Sequence, residues 1–335
     1  MSKRKPPRVF LRSHLGRRVC EEQVQRGAWV RVRPGACIEK PVGERWFITE
    51  QLALARCVAA SRQLKDVVLA RTSAAAMHDL EVWRIPERPW VIQQRSPSSR
   101  SAADIQRSAA LLDQEDIAEV HGCAVTTLLR TMLDCARHEH PRDALVVVDS
   151  GLRKLVNPRR DEAYATVDER AQPVRDELLS RIVPGSRGAA QARAVINASN
   201  PLAESAPESV LRWIAVSRGM PTPVLQKAVT TARGRFYTDM AWRLKGKTTA
   251  RWLHIEFDGE VKYRKDPRQR DAARVLIAER KREAAITDTG DWVVRIYSDE
   301  TDDEDRVFQK MSRKISPAVV ASWRPDPSLF RLPGT

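Results

Sequence analysis

The sequence has few cysteines, and none of them stand close together. Cys20, Cys37, Cys57, Cys123 and Cys135 form no Cys-x-x-Cys pair, and their number is odd. This excludes a disulfide framework or a thiolate zinc site as the basis of the fold, and reduced thiols in a cytosol are expected. A long apolar run is also missing: nothing approaches the roughly 20 residues that span a bilayer. The basic start Met-Ser-Lys-Arg-Lys-Pro-Pro leads into no apolar signal core, so the expectation is a cytoplasmic chain without a membrane partner. Negative charge is short as well. The chain carries 43 Asp and Glu against 58 Lys and Arg, a net charge of +15. That surplus favours polyanionic partners, through attraction to phosphate and release of counterions.

What is present fills 335 residues, enough for two or three domains. The first forty are the most basic, with Arg17, Arg18, Arg31 and Arg33 among them. Val19 to Val24 reads as part of a short helix. Gly27 to Arg33 alternates apolar and basic residues, and Pro34-Gly35 turns it into a returning strand over Ala36-Cys37-Ile38. A short helix before a basic hairpin is the layout of a winged helix-turn-helix, whose helix enters the major groove and whose wing touches phosphate. A small basic subdomain that only packs against the rest is the alternative reading.

These patterns divide the chain into a basic module over 1–42, a mixed α/β middle domain over 43–200, a third domain over 201–320 and a tail over 321–335. In the middle domain, helices are expected over Ile48 to Leu64, from Thr72 or Ser73 to Leu80, within the amphipathic stretch Ala124 to Arg137 with Thr126 or Thr127 as its start, and over Pro141 to Leu155. Val67 to Ala70 and Trp83 to Gln94 read as strands, Asn157 to Gln172 as a polar stretch and Pro173 to Val195 as a helix with a break at Pro184-Gly185. His138 and His140 occupy alternate positions, which share no helix face, so they read as a surface pair and not as metal ligands. A boundary is placed near 200, where Ser199 to Pro207 gathers turn residues.

The chemistry is concentrated between Pro207 and Tyr297. Glu208 falls in the first turn of a helix begun by Pro207, where the helix dipole favours a carboxylate. Val224 to Thr230 and Gly234 to Trp242 read as strands, the second carrying Asp239 and running into a basic loop with Lys245 and Lys247. Trp252 to Asp258 is a third strand. Alternation puts Leu253, Ile255 and Phe257 on one face and His254, Glu256 and Asp258 on the other. Acids gathered at one strand end are costly unless a cation neutralises them. Oxygen ligands of this kind suit Mg²⁺ or Mn²⁺. A surface hairpin with incidental acids is the competing reading. The acidic run Asp299 to Asp305 reads as a helix start and not as a second metal site.

This pattern resembles the PD-(D/E)XK nuclease superfamily, on its very-short-patch-repair-like branch. Pro207-Glu208-Ser209-Val210-Leu211-Arg212, Gly219 to Gln226, Asp239 and Ile255-Glu256-Phe257-Asp258-Gly259 carry the likeness. Trp29 to Gly35 and Leu128 to Asp134 resemble AbiEi-type antitoxins of type IV toxin–antitoxin systems. The resemblance implies an α+β chain, with a restriction-endonuclease-like mixed sheet flanked by helices at the C-terminus, after a winged-helix-like module and the middle domain. It implies a Mg²⁺-dependent DNA endonuclease with Asp239 and Glu256 as metal ligands and Glu208 as an accessory acid. Asp258 stands where the superfamily usually has lysine. Lys262 or Lys281 is then expected to supply that charge. Without such a cation, the resemblance implies a repressor or antitoxin with an inactive nuclease fold, with a toxin as partner.

Overall fold

The computed structural model describes residues 5–93, 103–108, 110–244, 250–259 and 280–330. The chain is a mixed α/β protein in two compact units, Met1–Glu139 and His140–Thr335. Among the described residues no helix is long and apolar enough to cross a membrane.

The first unit opens with β1 (Phe10–Leu11), α1 (Arg12–Leu15), α2 (Arg17–Gln25), β2 (Trp29–Arg33) and β3 (Ala36–Glu39). The three strands form an antiparallel sheet in the order β1-β3-β2. α3 (Arg45–Gln63) follows, and it buries Leu54, Cys57 and Val58 among the small residues Ala53, Ala55, Ala59 and Ala60. β4 (Val67–Leu69), α4 (Arg71–Met77), β5 (Trp90–Gln93), β6 (Gln106–Ser108), β7 (Ile117–Val120) and β8 (Cys123–Thr126) come next, then α5 (Leu128–His138). The five strands make a mixed sheet in the order β6-β5-β4-β8-β7. One core joins both sheets: Leu11 and Ile38 belong to the same apolar cluster as Leu54, Leu69, Val91 and Val125. All five cysteines are free and buried, and burial pushes the Cys57 thiol up to about 12.

Residues 83–89 form no strand, so the strand expected from Trp83 begins only at Trp90. Thr127, one of the two residues expected to start the next helix, is its N-cap, and Cys123–Thr126 before it pairs with β7 and β4. An apolar run of four cannot tell these states apart; sheet contacts decide it.

The second unit starts with α6 (Pro141–Val156), α7 (Tyr164–Ser180), α8 (Ala189–Ala198) and α9 (Ala206–Ser217). The three helices before 200 therefore group with the C-terminal chain, and the compact boundary falls at 139/140. A buried ion pair shows why: Arg212 of α9 meets Asp149 of α6, with their side chains 0% and 1% exposed. Ser209 Oγ and the Asn200 N–H also donate to Asp149, each at 2.7 Å. α7 runs straight through Pro173. Its buried residues Val167, Ala171, Arg175 and Leu178 recur at helical spacing, so a packed helix face runs through the second half of the polar stretch Asn157 to Gln172. His140 is half-buried, caps α6 through Nδ1 and lies edge-on to Trp213.

β9 (Val224–Thr231), β10 (Gly234–Leu244), β11 (Arg251–Asp258) and β12 (Trp292–Tyr297) form a sheet in the order β12-β11-β10-β9. β9, β10 and β11 are antiparallel neighbours, and β12 runs parallel to β11. Parallel pairing requires a crossover, and the connection contains helical residues 280–287, here α10. α11 (Glu304–Ser312) and α12 (Pro317–Ser322) follow. The region expected to be a tail is packed: Trp213 Nε1 donates to the Leu329 carbonyl at 3.0 Å, and Leu329 is buried. Gly219 makes this possible. Its φ is +83°, and a Cβ there would lie 2.2 Å from the Arg324 carbonyl oxygen.

Candidate functional site

Ser205 caps α9 and fixes Glu208 on its first turn. Ser205 Oγ donates to Glu208 Oε1 at 2.8 Å and receives the Glu208 N–H, while the Glu204 N–H donates to Oε2 at 2.9 Å. Ser205 caps the helix and its hydroxyl and the Glu204 N–H hold the Glu208 carboxyl, so Glu208 has a structural role whatever else it does. Gln226 Nε2 adds a fourth contact to Glu208 at 3.3 Å. Gln226 lies in β9 with φ +47°, a conformation uncommon for a non-glycine strand residue. The ladder is interrupted there, passing from Thr238↔Lys227 to Met240↔Leu225. The residue opposite the interruption is Asp239.

On its other side Asp239 stands one step beyond the Met240↔Ile255 pair, which brings it level with Glu256 on β11. Asp239 Oδ2 accepts the Phe257 N–H at 2.7 Å. Burial raises the Glu208 carboxyl to about 7, and the charge of Asp239 pushes it the same way. Burial also raises Glu256, where Arg282 pulls down and Asp239 pushes up. Three acids from one helix and two strands thus feel one another, with Asp239 between the other two.

The counter-charges are arginines. Arg282 Nη2 lies 2.5 Å from Glu256 Oε1 and also donates to the Tyr237 carbonyl. Arg295 Nη1 donates to Asp258 Oδ2 at 3.1 Å, its Nη2 lies 4.0 Å from Glu256 Oε2, and its Nε lies 3.0 Å from Glu283. Asp258 is therefore drawn toward β12. Lys281 is exposed beside Arg282, and Lys262 lies outside the described residues. His254 shares the acidic face but is locked inward: Thr238 Oγ1 is 2.8 Å from Nδ1 and Asp291 is 3.5 Å from Nε2. Burial lowers its pKa, which keeps the ring neutral.

The oxygen donors have the right chemistry for a hard cation, but their arrangement is not a finished cage. Among the described residues, no group of three or more His, Cys, Asp or Glu side chains is placed to hold a metal ion. The structure thus brings Glu208, Asp239 and Glu256 together electrostatically and sets an arginine against Glu256.

Beside the acids is a basic hollow of about 200 Å³. Arg153, Arg159, Arg160, Lys227 and Arg235 line it together with the acids Asp161, Glu162 and Glu204, and Glu204 lies 3.2 Å from Arg153 and 3.9 Å from Arg160 while Asp161 lies 3.6 Å from Arg159. Arg160 and Arg235 lie over the Tyr237 ring at 5.5 and 5.3 Å.

The comparisons name no family. No protein-family model and no curated protein matches the chain. Among solved structures, the crystal structure of the RV2827C protein from Mycobacterium tuberculosis is similar at 14% identity and a TM-score of 0.29, covering 58% of this chain and 77% of that one. A likeness of that size carries no argument here.

In the first unit, Arg18 and Arg31 are exposed, and Arg17 pairs with Glu21 at 2.6 Å on the surface. Arg33 differs from expectation. It is 9% exposed and bound to Asp104 at 2.8 and 3.3 Å, so its charge is already partnered within the fold. Arg12, Arg17, Arg31 and Arg33 border a hollow of about 510 Å³ together with Glu21. Lys245 and Lys247 lie outside the described residues. Sequence reasoning missed Gln226, Arg282 and Arg295. Strand alternation places Arg295 level with Glu256 across the parallel pair, a signal available only once β12 is known to neighbour β11.

Proposed function

We propose that the second unit is a nuclease-type domain of the PD-(D/E)XK kind, acting on DNA, and that the first unit is a DNA-docking module. The observation that carries this reading is Asp239, whose charge bears on Glu208 and Glu256 at once. Mutual repulsion of this sort stabilises whatever cation enters. Asp239 and Glu256 would hold Mg²⁺ or Mn²⁺, which when bound supplies charge stabilisation at a phosphodiester. Glu208 is about half protonated near neutrality and receives the Gln226 amide, so it adds less charge than Asp239 and also positions its neighbours. The hollow next to the acids carries five cations against three acids, a surplus that suits a phosphate backbone. Arg282 holds Glu256 in check, and its displacement opens the carboxylate.

Purified full-length protein is expected to nick supercoiled plasmid with Mg²⁺ or Mn²⁺, and Glu256→Ala to abolish the nicking while DNA binding persists. Full activity in that variant would refute the ligand assignment.

One observation favours a second reading. Arg282 and Arg295 already neutralise Glu256 and Asp258, and Asp258 replaces the superfamily lysine. A repressor or antitoxin with an inactive nuclease fold matches that arrangement. It predicts metal-independent, salt-sensitive DNA retardation and no cleavage by wild type.

A further inference from the structure

At the far end of the same sheet is a pocket of about 770 Å³. Trp252, Trp292 and Trp323 line it together with Arg243, Arg251 and Lys314. The three indoles are half-buried and the three cations are exposed, so the rings face a cavity whose rim is positively charged. Trp242, buried and tied to the Pro221 carbonyl at 2.6 Å, forms a fixed wall.

Ring and cation are paired in space. Arg243 is the direct cross-strand partner of Trp252. The Arg251 guanidinium lies 5.5 Å and the Lys314 ammonium 6.0 Å from the Trp292 ring. A nucleotide presents the complementary pair, a flat π surface joined to a phosphate. Stacking on aromatic side chains and charge on the backbone together define sites for unpaired strands. The volume is within the usual range for small-molecule pockets, about 300 to 1,000 Å³.

Position also matters. Register places Trp242, Arg251 and Trp292 on the sheet face opposite to Arg243, Trp252 and the acids Asp239 and Glu256, so the pocket is a site separate from the acidic one. We propose that this pocket binds an unpaired nucleotide of a nucleic-acid strand, with the base stacked at Trp292 and the phosphate held by Arg251 and Lys314. The inference shares a nucleic-acid partner with the proposed function but needs no cleavage.

Tryptophan fluorescence in EDTA tests it on the full chain. Oligo(dT) is expected to quench the signal. A strand of equal length built from abasic residues is expected to bind about tenfold more weakly, as loss of stacking requires. Trp292→Ala should weaken oligo(dT) binding to a similar degree. Should that variant not fold, the surface double variant Arg251→Gln/Lys314→Gln should lower the slope of log K against log salt by about 1.4. Equal affinity for the abasic strand, equal quenching by poly-glutamate or an unchanged salt slope would each overturn the assignment. EDTA prevents cleavage, so a protein that fails to cut DNA can still pass this test.

Discussion

Arg282 lies 2.5 Å from Glu256 and is the nearest counter-charge to the acidic strand end. The Arg282 side chain is 32% exposed, so water screens part of the pair. Replacing it with glutamine leaves a buried Glu256 facing Asp239. Arg282→Gln is expected to lower stability by about 1–2 kcal/mol in EDTA. Mn²⁺ should restore part of that loss, because a bound cation takes over the guanidinium's role. Thermal melts with and without Mn²⁺ check this; a variant whose loss is indifferent to Mn²⁺ favours arginine as the permanent occupant.

Glu208 gives the protein an inverted pH response. Its folded carboxyl titrates at about 7, above the ordinary value of 4.5. Folding therefore binds a proton through this group between those two values. Its contribution to stability is present below about 4.5, declines as pH rises to about 7 and is flat above that. The full effect is on the order of 3 kcal/mol. Glu208→Gln is expected to flatten this limb in urea titrations run from pH 5 to 8. Parallel wild-type and variant profiles would show that the carboxyl is not perturbed.

The Arg212–Asp149 pair is sealed from solvent. Removing the cation strands a buried carboxylate, which costs about 3–5 kcal/mol. Arg212→Met is expected to shift the urea midpoint of the second unit by that amount, and Asp149→Asn/Arg212→Met to recover much of it. A loss under 1 kcal/mol would mean that water reaches the pair.

Gly219 admits the C-terminal segment. At φ +83°, with the Arg324 backbone against it, an added methyl group strains the backbone by roughly 1–2 kcal/mol and adds a clash. Gly219→Ala should expose the segment after Trp323 to limited proteolysis. An unchanged digestion pattern would show that the segment docks without help from this glycine.

Much of the site was readable because its signals are local. Pro207 before Glu208 marks a helix start, and alternation along Trp252–Asp258 marks a strand with acids on one face. The strand register that levels Asp239 with Glu256 follows from a hairpin. Contacts made across long separations were not readable. Arg282 reaches Glu256 from a helix after the strand, and Arg295 does so through a parallel pairing that no local pattern encodes. Arg33 shows the opposite error: a basic strand residue looked like a phosphate contact, while Asp104, far along the chain, had claimed it. The chain's two compact units meet at 139/140, while the turn residues near 200 mark the loop between α8 and α9, across which Asp149 and Arg212 pair. Pro173 was read as the start of a helix, but the buried face of α7 spans it.

The most direct measurement is calorimetric titration of the metal-free protein with Mn²⁺, wild type beside Asp239→Asn. The account predicts one bound ion in the wild type and none in the variant, with both folded. No uptake by the wild type, or equal uptake by Asp239→Asn, would contradict it.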